Sequence, residues 1–267
     1  MELAITSVKN PRIRDAIRLR DRKGRDRQQR MIVDGYRECV RALQAGVSDG
    51  ELFDCEAHLH DDQRAVVRRT IEGRQVKQVH VSDDVFRKLA FGKRTEGLIL
   101  VAAQPSTSLD SLQLGQNPLV AVLEQVEKPG NLGAIIRTAD AADISAVIVA
   151  DGRTDLYNPN AIRASLGAIF RIPLAAGTVD QTIQWLRRNQ IKIFTARVDG
   201  AINYTTVDFR QPSAIILGNE SDGLTDAWQD NDMQAVTIPM HGVVDSLNVS
   251  ATAAVLFYEA LRQRREL

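Results

Sequence analysis

The sequence predicts an α/β fold in which a smaller α/β domain precedes a larger one built on a parallel sheet. Hydrophobic residues make up 44% of the 267 residues, which is enough to build a packed core. In the C-terminal half, short and uniformly apolar segments alternate with helical patterns, as expected for parallel strands covered by helices on both faces. A polar segment at 104–118, with Pro, Ser and Gly, indicates a linker between the two parts.

The N-terminal domain is expected to span 1–106. Its predicted elements are a basic helical stretch, strands at 31–34, 75–81 and 97–103, and a helix at 35–45. In that helix Cys39, Val40 and Leu43 recur at helical spacing, and Gly46 suits the position that ends it. The result is a small α/β domain of about 100 residues.

The C-terminal domain is expected to span 117–267. Strands are predicted at 119–123, 146–150, 192–195, 214–217 and 235–238. Helices are predicted at 131–142, 181–188, near 224–228 and at 248–263. The last helix carries one apolar stripe, formed by Ala251, Ala254, Val255, Tyr258 and Leu261. Because ligands of parallel sheets bind at the carboxyl ends of the strands, the polar segments that directly follow strands are the candidate sites.

The net charge of the chain is zero, but the charge is unevenly distributed. Residues 1–30 contain ten Lys or Arg and four acidic residues, a net charge of +6. Such a run is typical of a surface that meets nucleic-acid phosphates, and the alternative is a solvated helix with ordinary surface ion pairs. The candidates for phosphate contact in this stretch are Arg12, Arg20, Arg22, Lys23 and Arg25.

Several classes of site are not expected. Cys39 and Cys55 match no zinc spacing and are interpreted as reduced thiols, and the four histidines form no metal-ligand pattern, so no metal is predicted. The glycine-rich turn at 129–133 is neither G-x-G-x-x-G nor a P-loop. No apolar run approaches the roughly 20 residues of a membrane span, and the N-terminus lacks a signal-peptide core. The expected location is the cytoplasm.

The first candidate segment, 124–138, follows a buried strand. It contains two glycines that permit close backbone approach, and Asn131 suits a helix N-cap. Arg137 lies two turns into the helix among apolar residues, where a guanidinium needs an anionic or carbonyl partner. The alternative is a salt bridge to Asp140 or Asp143.

The second candidate segment, 216–223, again runs from a buried strand into glycine and polar residues. Asn219, Glu220 and Asp222 are its polar side chains. The two carboxylates could suggest magnesium, but both come from one loop. The alternative is an Asx-type turn that starts the next helix.

The third candidate segment, 238–250, is a strand end, a loop and a helix start. Asp245 and Ser246 are N-cap residue types, and Asn248 is expected in the first helical turn. His241, Asp245 and Ser246 superficially resemble a hydrolase triad. A hydrolase is disfavoured because such triads converge from separate loops and no G-x-S-x-G elbow is present.

Together, the three segments resemble the three signature motifs of the SpoU branch of the SPOUT methyltransferases, in order, across 117–263. Motif one is Asn131-x-Gly133-x-x-x-Arg137-Thr138, motif two is Leu217-Gly218-Asn219-Glu220 with Gly223, and motif three is Ile238-Pro239-Met240 with Ser246-Leu247-Asn248-Val249-Ser250. The N-terminal half more loosely resembles the ribosomal-protein-like RNA-binding domain of many family members, through Val33-Asp34-Gly35-Tyr36-Arg37 and Ala45-Gly46-Val47.

The resemblance implies a deep C-terminal trefoil knot, a homodimer in which the last helix packs at the interface, and S-adenosylmethionine as the cofactor. The implied cofactor-binding residues are Leu217, Gly218, Asn219, Ile238, Met240, Leu247 and Asn248. Nothing in the implied reaction requires a metal.

The resemblance also implies catalytic roles. Arg137 would act on the ribose 2′-hydroxyl, either as a base or as an electrostatic stabiliser, since guanidinium is essentially always protonated. Ser246 and Asn248 would aid orientation, while Asn131 and Glu220 would shape the site. A second arginine that acts on RNA is implied by the Arg163-Ala164-Ser165-Leu166-Gly167 segment.

The implied substrate is structured RNA, with ribosomal RNA favoured because a separate N-terminal domain suits a folded target. Transfer RNA and a resistance enzyme that modifies ribosomal RNA stay open as alternatives. A non-catalytic RNA-binding protein of the same fold is a further alternative.

Overall fold

A computed structural model of the protein describes residues 4–91, 96–199 and 202–265. The chain forms two compact units. Unit 1 comprises Met1–Pro105 and Tyr157–Arg171, and unit 2 comprises Ser106–Leu156 and Ile172–Leu267. The segment Tyr157–Arg171 therefore lies in unit 1, although it follows the predicted linker in sequence.

The elements are numbered in chain order. The helices are α1 Pro11–Arg18, α2 Arg22–Gln28, α3 Tyr36–Gln44, α4 Asp61–Ile71, α5 Asp83–Leu89, α6 Pro129–Ala141, α7 Pro159–Ala164, α8 Val179–Arg188 and α9 Val249–Arg265. The strands are β1 Arg30–Asp34, β2 Gly50–Asp54, β3 Val76–His80, β4 Leu98–Ala103, β5 Leu119–Glu124, β6 Ala146–Ala150, β7 Leu174–Gly177, β8 Lys192–Ala196, β9 Ile202–Asn203, β10 Ser213–Leu217 and β11 Met233–Thr237.

Unit 1 is built on a mixed four-stranded sheet in the order β1-β4-β2-β3. The strand β4 is antiparallel to β1 and β2, whereas β2 and β3 are parallel. Its core packs Ile13 of α1 and Phe86 of α5 against Ile32, Phe53 and Val101 of the sheet. The predicted strands at 31–34, 75–81 and 97–103 and the helix at 35–45 are confirmed by β1, β3, β4 and α3.

Unit 2 is built on seven strands in the order β7-β6-β5-β10-β8-β11-β9, and all their pairings are parallel, as predicted. One face packs Val122, Ile148 and Ile216 against Ile183 of α8 and Trp228. Alternation along the strands turns their other side chains to the opposite face, where α6 and α9 pack together and α9 contacts β10. The carboxyl ends of β5, β10, β8 and β11 consequently lie along one edge of the sheet.

The segment at 104–118, predicted to be a linker, is largely packed onto unit 2. The side chains of Leu109 and Leu112 contact the core cluster, and Ala176 of β7 donates a backbone hydrogen bond to the carbonyl of Thr107 at 2.8 Å. Leu109 and Leu112 are half-buried against this cluster, which explains why the polar stretch nevertheless contains apolar residues.

The remaining predicted elements of unit 2 are confirmed with small shifts in their bounds. The short helix predicted near 224–228 is a single 3-10 turn at Asp226–Trp228. The short strands β7 and β9 were not predicted, because four and two residues carry too little pattern. The trefoil knot stays a prediction, since strand order alone does not define how a chain threads.

Helix α9 has two apolar faces. The face that packs into the core of unit 2 is formed by Val249, Ala253, Leu256, Phe257 and Ala260. The stripe predicted from the sequence is a different one and is less buried, with Tyr258 50% exposed. Among the described residues, no helix has both the length and the apolar character needed to span a membrane.

Candidate functional site

A cavity of about 520 Å³ opens at the carboxyl edge of the unit 2 sheet. Its volume falls within the range of roughly 300–1,000 Å³ that is usual for small-molecule sites. Most of the site residues predicted from the sequence line this cavity, namely Leu217, Gly218, Asn219, Glu220, Ile238, Met240, Ser246 and Leu247. Asn131, Arg137 and Asn248 are not among the lining residues.

The segment after β8 also lines this cavity, which sequence reasoning missed. Arg197, Val198 and Asp199 face the cavity beside the segments that follow β10 and β11. The available signal was the same pattern of a buried strand that runs into charged and polar residues, here at 195–200. Polar candidate segments therefore follow four strands at this edge, β5, β8, β10 and β11, whereas the sequence analysis considered only three of them.

The loop after β10 is closed by its own backbone. Asn219 and Gly223 exchange two backbone hydrogen bonds, at 3.0 and 3.1 Å. A Cβ atom on Gly218 would lie 2.3 Å from the carbonyl carbon of Gly223, so only glycine fits there. The side chain of Asn219 accepts from the Ser221 backbone at 2.7 Å, which confirms the Asx-type turn, and donates to the Gln125 carbonyl at 3.0 Å.

Glu124 fixes the other end of this loop and was not singled out from the sequence. Its carboxylate is fully buried at the end of β5. One oxygen accepts a hydrogen bond from the Thr225 backbone amide at 2.9 Å, and the other accepts from the Thr225 hydroxyl at 2.6 Å. A buried carboxylate is tolerated when it is hydrogen-bonded in this way.

A chain of side-chain amides joins the three motifs. The side-chain amide of Asn248 donates to Oδ1 of Asn131 at 3.5 Å, and the side-chain amide of Asn131 donates to the carboxylate of Glu220. The Asn248 oxygen also accepts from the backbone and the hydroxyl of Ser250, at 2.9 and 2.6 Å. Residues from three segments that are far apart in sequence therefore hold each other in place.

Two details of the helix starts differ from the expectation. Asn131 is not the N-cap of α6, because that helix begins at Pro129 with Lys128 before it. Asn248 caps α9 itself, and neither Asp245 nor Ser246 does so, since α9 begins one residue after Asn248. Asp245 and Ser246 instead stand in the exposed loop beside the cavity.

Arg137 lies on α6 with an exposed side chain. Within the described part of the chain, its guanidinium makes no hydrogen bond or ion pair, so the predicted alternative of a salt bridge to Asp140 or Asp143 is not formed. A cationic group without a partner of its own is available to an anionic ligand.

The cavity has an excess of negative charge. Four carboxylates and one guanidinium line it, the carboxylates belonging to Asp199, Glu220, Asp222 and Asp245. The guanidinium of Arg197 donates two hydrogen bonds to Asp199, at 3.0 and 3.2 Å, which lower the pKa of that carboxyl and raise the pKa of Arg197. The arrangement favours a ligand that carries positive charge.

The basic stretch divides into internal and exposed residues. Arg25 is 1% exposed and donates to the carbonyls of Leu19 and Arg20, at 2.8 and 2.7 Å, so it stabilises unit 1 instead of facing the solvent. Arg20 donates to the Ala90 carbonyl, and burial lowers its pKa.

The other basic candidates lie nearer the surface. Arg12 pairs with Glu51 and is half-buried, and Arg22 lies 3.7 Å from Asp26. Lys23 is exposed and makes no ion pair or side-chain hydrogen bond with any described residue. Three further exposed basic residues in the same stretch share this state and were not singled out, namely Lys9, Arg14 and Arg27. Arg163 is exposed on α7.

Comparison with known proteins gives matches over both parts of the chain. Residues 118–258 match the SpoU rRNA Methylase family, and residues 10–100 match the MRM3-like substrate binding domain. A 23S rRNA (uridine(2479)-2'-O)-methyltransferase of Streptomyces viridochromogenes is 30% identical over 258 residues, which are 92% of this chain and 87% of that protein. The matched range 118–258 contains all three strand-end motifs.

Two solved structures are similar over nearly the whole chain. The crystal structure of an RNA 2'-O ribose methyltransferase has 39% sequence identity and a TM-score of 0.83, over 98% of this chain and 100% of that one. The AdoMet-bound rRNA methyltransferase from Sinorhizobium meliloti has 27% identity and a TM-score of 0.88, over 99% of this chain and 98% of that one. The α/β architecture of both units therefore has solved counterparts.

Proposed function

Because the chain belongs to the SpoU rRNA Methylase family, we propose that it transfers a methyl group from S-adenosylmethionine to a ribose 2′-hydroxyl of 23S ribosomal RNA. The choice of ribosomal RNA is supported by the relative from Streptomyces viridochromogenes, which acts on 23S rRNA. The use of S-adenosylmethionine is supported by the AdoMet-bound neighbour from Sinorhizobium meliloti.

The observation that carries this proposal is the cavity at the carboxyl edge of the unit 2 sheet. Apolar side chains, among them Leu217, Ile238 and Met240, suit an adenine ring, and the excess of carboxylates suits a sulfonium cation. Because Gly218 has no side chain, the loop after β10 can close tightly beside such a ligand. When bound, S-adenosylmethionine supplies an electrophilic methyl group.

The chain's own residues then position and activate the hydroxyl. Because a guanidinium carries positive charge and has no acceptor atom, we assign Arg137 the binding of a neighbouring phosphate or the stabilisation of the developing oxyanion. The hydroxyl proton passes to solvent water as the methyl group is transferred from sulfur to the ribose oxygen. Ser246 lines the cavity, and its hydroxyl orients the reactants together with Asn248. Asn131 and Glu220 hold Asn248 in position through the hydrogen bonds that join their side chains.

RNA recognition is assigned to the N-terminal domain, 1–106, and methyl transfer to 117–267. The match of residues 10–100 to a substrate binding domain supports this division. We assign phosphate contacts to the exposed basic residues of the first helices, Arg22 and Lys23 among them, and to Arg163. With ribosomal RNA as the substrate, we also propose that the protein acts in the cytoplasm.

We also propose that the protein is a homodimer with a trefoil knot. The second apolar face of α9 is less buried than the first, with Ala251 and Tyr258 exposed, and it suits a second copy of the chain. Light scattering should give twice the 29.6 kDa of one chain, and Tyr258→Glu should lower that mass. A wild-type mass of one chain would remove the dimer from the proposal.

The test of the activity is methyl transfer to total RNA from cells that lack the modification. The protein is incubated with radiolabelled S-adenosylmethionine, and alkaline hydrolysis followed by dinucleotide analysis locates the label. Label in an alkali-resistant linkage of 23S RNA is expected. It should fall by about 10²–10³-fold with Arg137→Ala, because an electrostatic group is lost, and persist with Arg188→Ala, an exposed arginine of α8.

Other outcomes distinguish the alternatives. Label on bases alone would overturn the 2′-hydroxyl as the acceptor. Label in transfer RNA would replace the substrate and keep the reaction. Cofactor binding without label in any fraction, including assembly intermediates of the ribosome, would contradict the enzymatic proposal and favour a non-catalytic RNA-binding protein.

A further inference from the structure

We propose that unit 1 contains a binding site for a transition-metal dication of the zinc class, formed by Cys55, His58 and Asp83. Two of the three residues belong to one turn, and the third comes from a separate helix. Cys55 follows β2, His58 ends the 3-10 turn at Glu56–His58, and Asp83 is the first residue of α5. The site is independent of the proposed methyl transfer, which is assigned to unit 2.

The geometry brings three different ligand types together. A sulfur, a ring nitrogen and a carboxylate oxygen, one from each residue, all lie within 4.8 Å of one another. Zinc binds such atoms at about 2.0–2.3 Å, so that ligand atoms around one tetrahedral ion are roughly 3.4–3.7 Å apart. Small side-chain movements are therefore enough to surround an ion.

The contact between His58 and Asp83 shows where the ion would enter. The Nε2 atom of His58 lies 2.6 Å from Oδ1 of Asp83, a hydrogen-bond distance with one proton between the two atoms. A metal ion in place of that proton requires the two atoms to separate by less than about 1 Å. A thiolate and a carboxylate together also balance the charge of a dication.

The surrounding structure holds the ligands in position. The backbone of Cys55 donates to the Gly97 carbonyl at 3.0 Å, and the backbone of His58 donates to the Cys55 carbonyl at 3.0 Å. The second carboxylate oxygen of Asp83 accepts from Arg87 at 2.8 Å, which leaves the first oxygen directed at His58. Hydrogen bonds of this kind orient metal ligands and strengthen binding.

Burial and ligand chemistry decide which ions fit. The Cys55 side chain is nearly fully buried, whereas that of Asp83 is 41% exposed, so solvent can reach the site and supply a fourth ligand. A sulfur and an imidazole nitrogen favour zinc or cobalt over magnesium and calcium, which prefer oxygen. The sequence analysis predicted no metal, because Asp83 lies 25 residues from His58 and no spacing rule links them.

The test is cobalt titration of the full-length protein after treatment with a chelator. Tetrahedral Co²⁺ bound by a thiolate gives a near-ultraviolet charge-transfer band and visible bands, and Zn²⁺ should abolish both by displacing it. Cys55→Ser and His58→Gln should eliminate the charge-transfer band or weaken binding at least tenfold. Arg87→Ala, which removes only the hydrogen bond to Asp83, should weaken binding by about tenfold.

The chain offers matched controls. Cys39→Ser removes the other cysteine, and His60→Gln removes a histidine two residues from His58, and both should retain the cobalt spectrum. A folded wild-type protein without the charge-transfer band would overturn the proposal, as would a band that survives Cys55→Ser. If circular dichroism shows that Cys55→Ser is unfolded, His58→Gln and Asp83→Asn decide the result.

Discussion

Both carboxylate oxygens of Glu124 accept hydrogen bonds from Thr225, a residue 101 positions further along the chain. This contact joins the end of β5 to Thr225, which directly follows the loop after β10. Because Glu124 is buried and fully hydrogen-bonded, it fixes the loop that forms one wall of the candidate cofactor cavity.

Loss of this contact is expected to destabilise unit 2. Glu124→Ala leaves the Thr225 amide unpaired and should lower the free energy of unfolding by about 1–3 kcal/mol. Glu124→Gln can accept from the amide and donate to the hydroxyl, so it should keep most of the stability. Urea denaturation followed by tryptophan fluorescence measures the effect, because both tryptophans, Trp185 and Trp228, lie in unit 2.

The control for this prediction is Glu127→Ala. Glu127 is half-exposed and pairs with Arg153, so its loss should cost less than about 1 kcal/mol. Equal losses for the two alanine variants would contradict the role assigned to Glu124.

Gly218→Ala is expected to abolish cofactor binding. The added Cβ would lie 2.3 Å from the carbonyl carbon of Gly223, so the loop would have to open. Calorimetric titration with S-adenosylmethionine should show no binding to the variant. Gly242→Ala is the control, since a Cβ there meets no atom within 4 Å, and normal affinity of Gly218→Ala would show that the loop does not bind the cofactor.

Two substitutions of Asn248 should separate its two contacts. Asn248→Asp keeps the oxygen that caps α9 but loses the amide that donates to Asn131, so stability should be retained while kcat falls. Asn248→Ala loses both contacts and should also lower stability by about 1 kcal/mol. Thermal unfolding and single-turnover methylation are the measurements, and full activity of Asn248→Asp would show that the amide chain is dispensable.

Substitution of Arg25 is expected to affect stability, and substitution of Lys23 is expected to affect RNA binding, although the two residues are only two positions apart. Arg25→Ala should unfold unit 1 more easily, because the carbonyls of Leu19 and Arg20 lose their donor inside the protein. Lys23→Ala should leave stability unchanged and reduce the salt dependence of RNA binding by about one phosphate contact. Filter binding at several salt concentrations, together with thermal unfolding, checks both. The reverse pattern would contradict the assignment.

The sheet of unit 2 was largely predictable because its buried strands are uniformly apolar. The strand β2 was missed because Gly50 and Glu51 interrupt its pattern, leaving only Leu52 and Phe53 as a signal. Burial of that strand is decided by its neighbours β3 and β4, and a local pattern contains no information about them.

The candidate site was predictable where residues of one segment act together, and less so where segments meet. Gly218 and Glu220 are recognisable from their place after a strand, whereas the pairing of Glu124 with Thr225 depends on the register between β5 and β10. Likewise, Arg25 looks like its exposed neighbours in a basic run. Its guanidinium lies inside because it reaches the carbonyls of Leu19 and Arg20, which stand between α1 and α2, and the local pattern does not reveal this contact.

The segment Tyr157–Arg171 has a consequence for expression of the C-terminal part alone. Its helix α7 contacts β1, and the carbonyl of Leu166 accepts from Arg41 of α3 at 2.6 Å. A fragment that begins at residue 106 would lack this support and present Ile162 and Ile169, now buried, to water. Such a truncated protein should aggregate during purification unless both apolar residues are replaced.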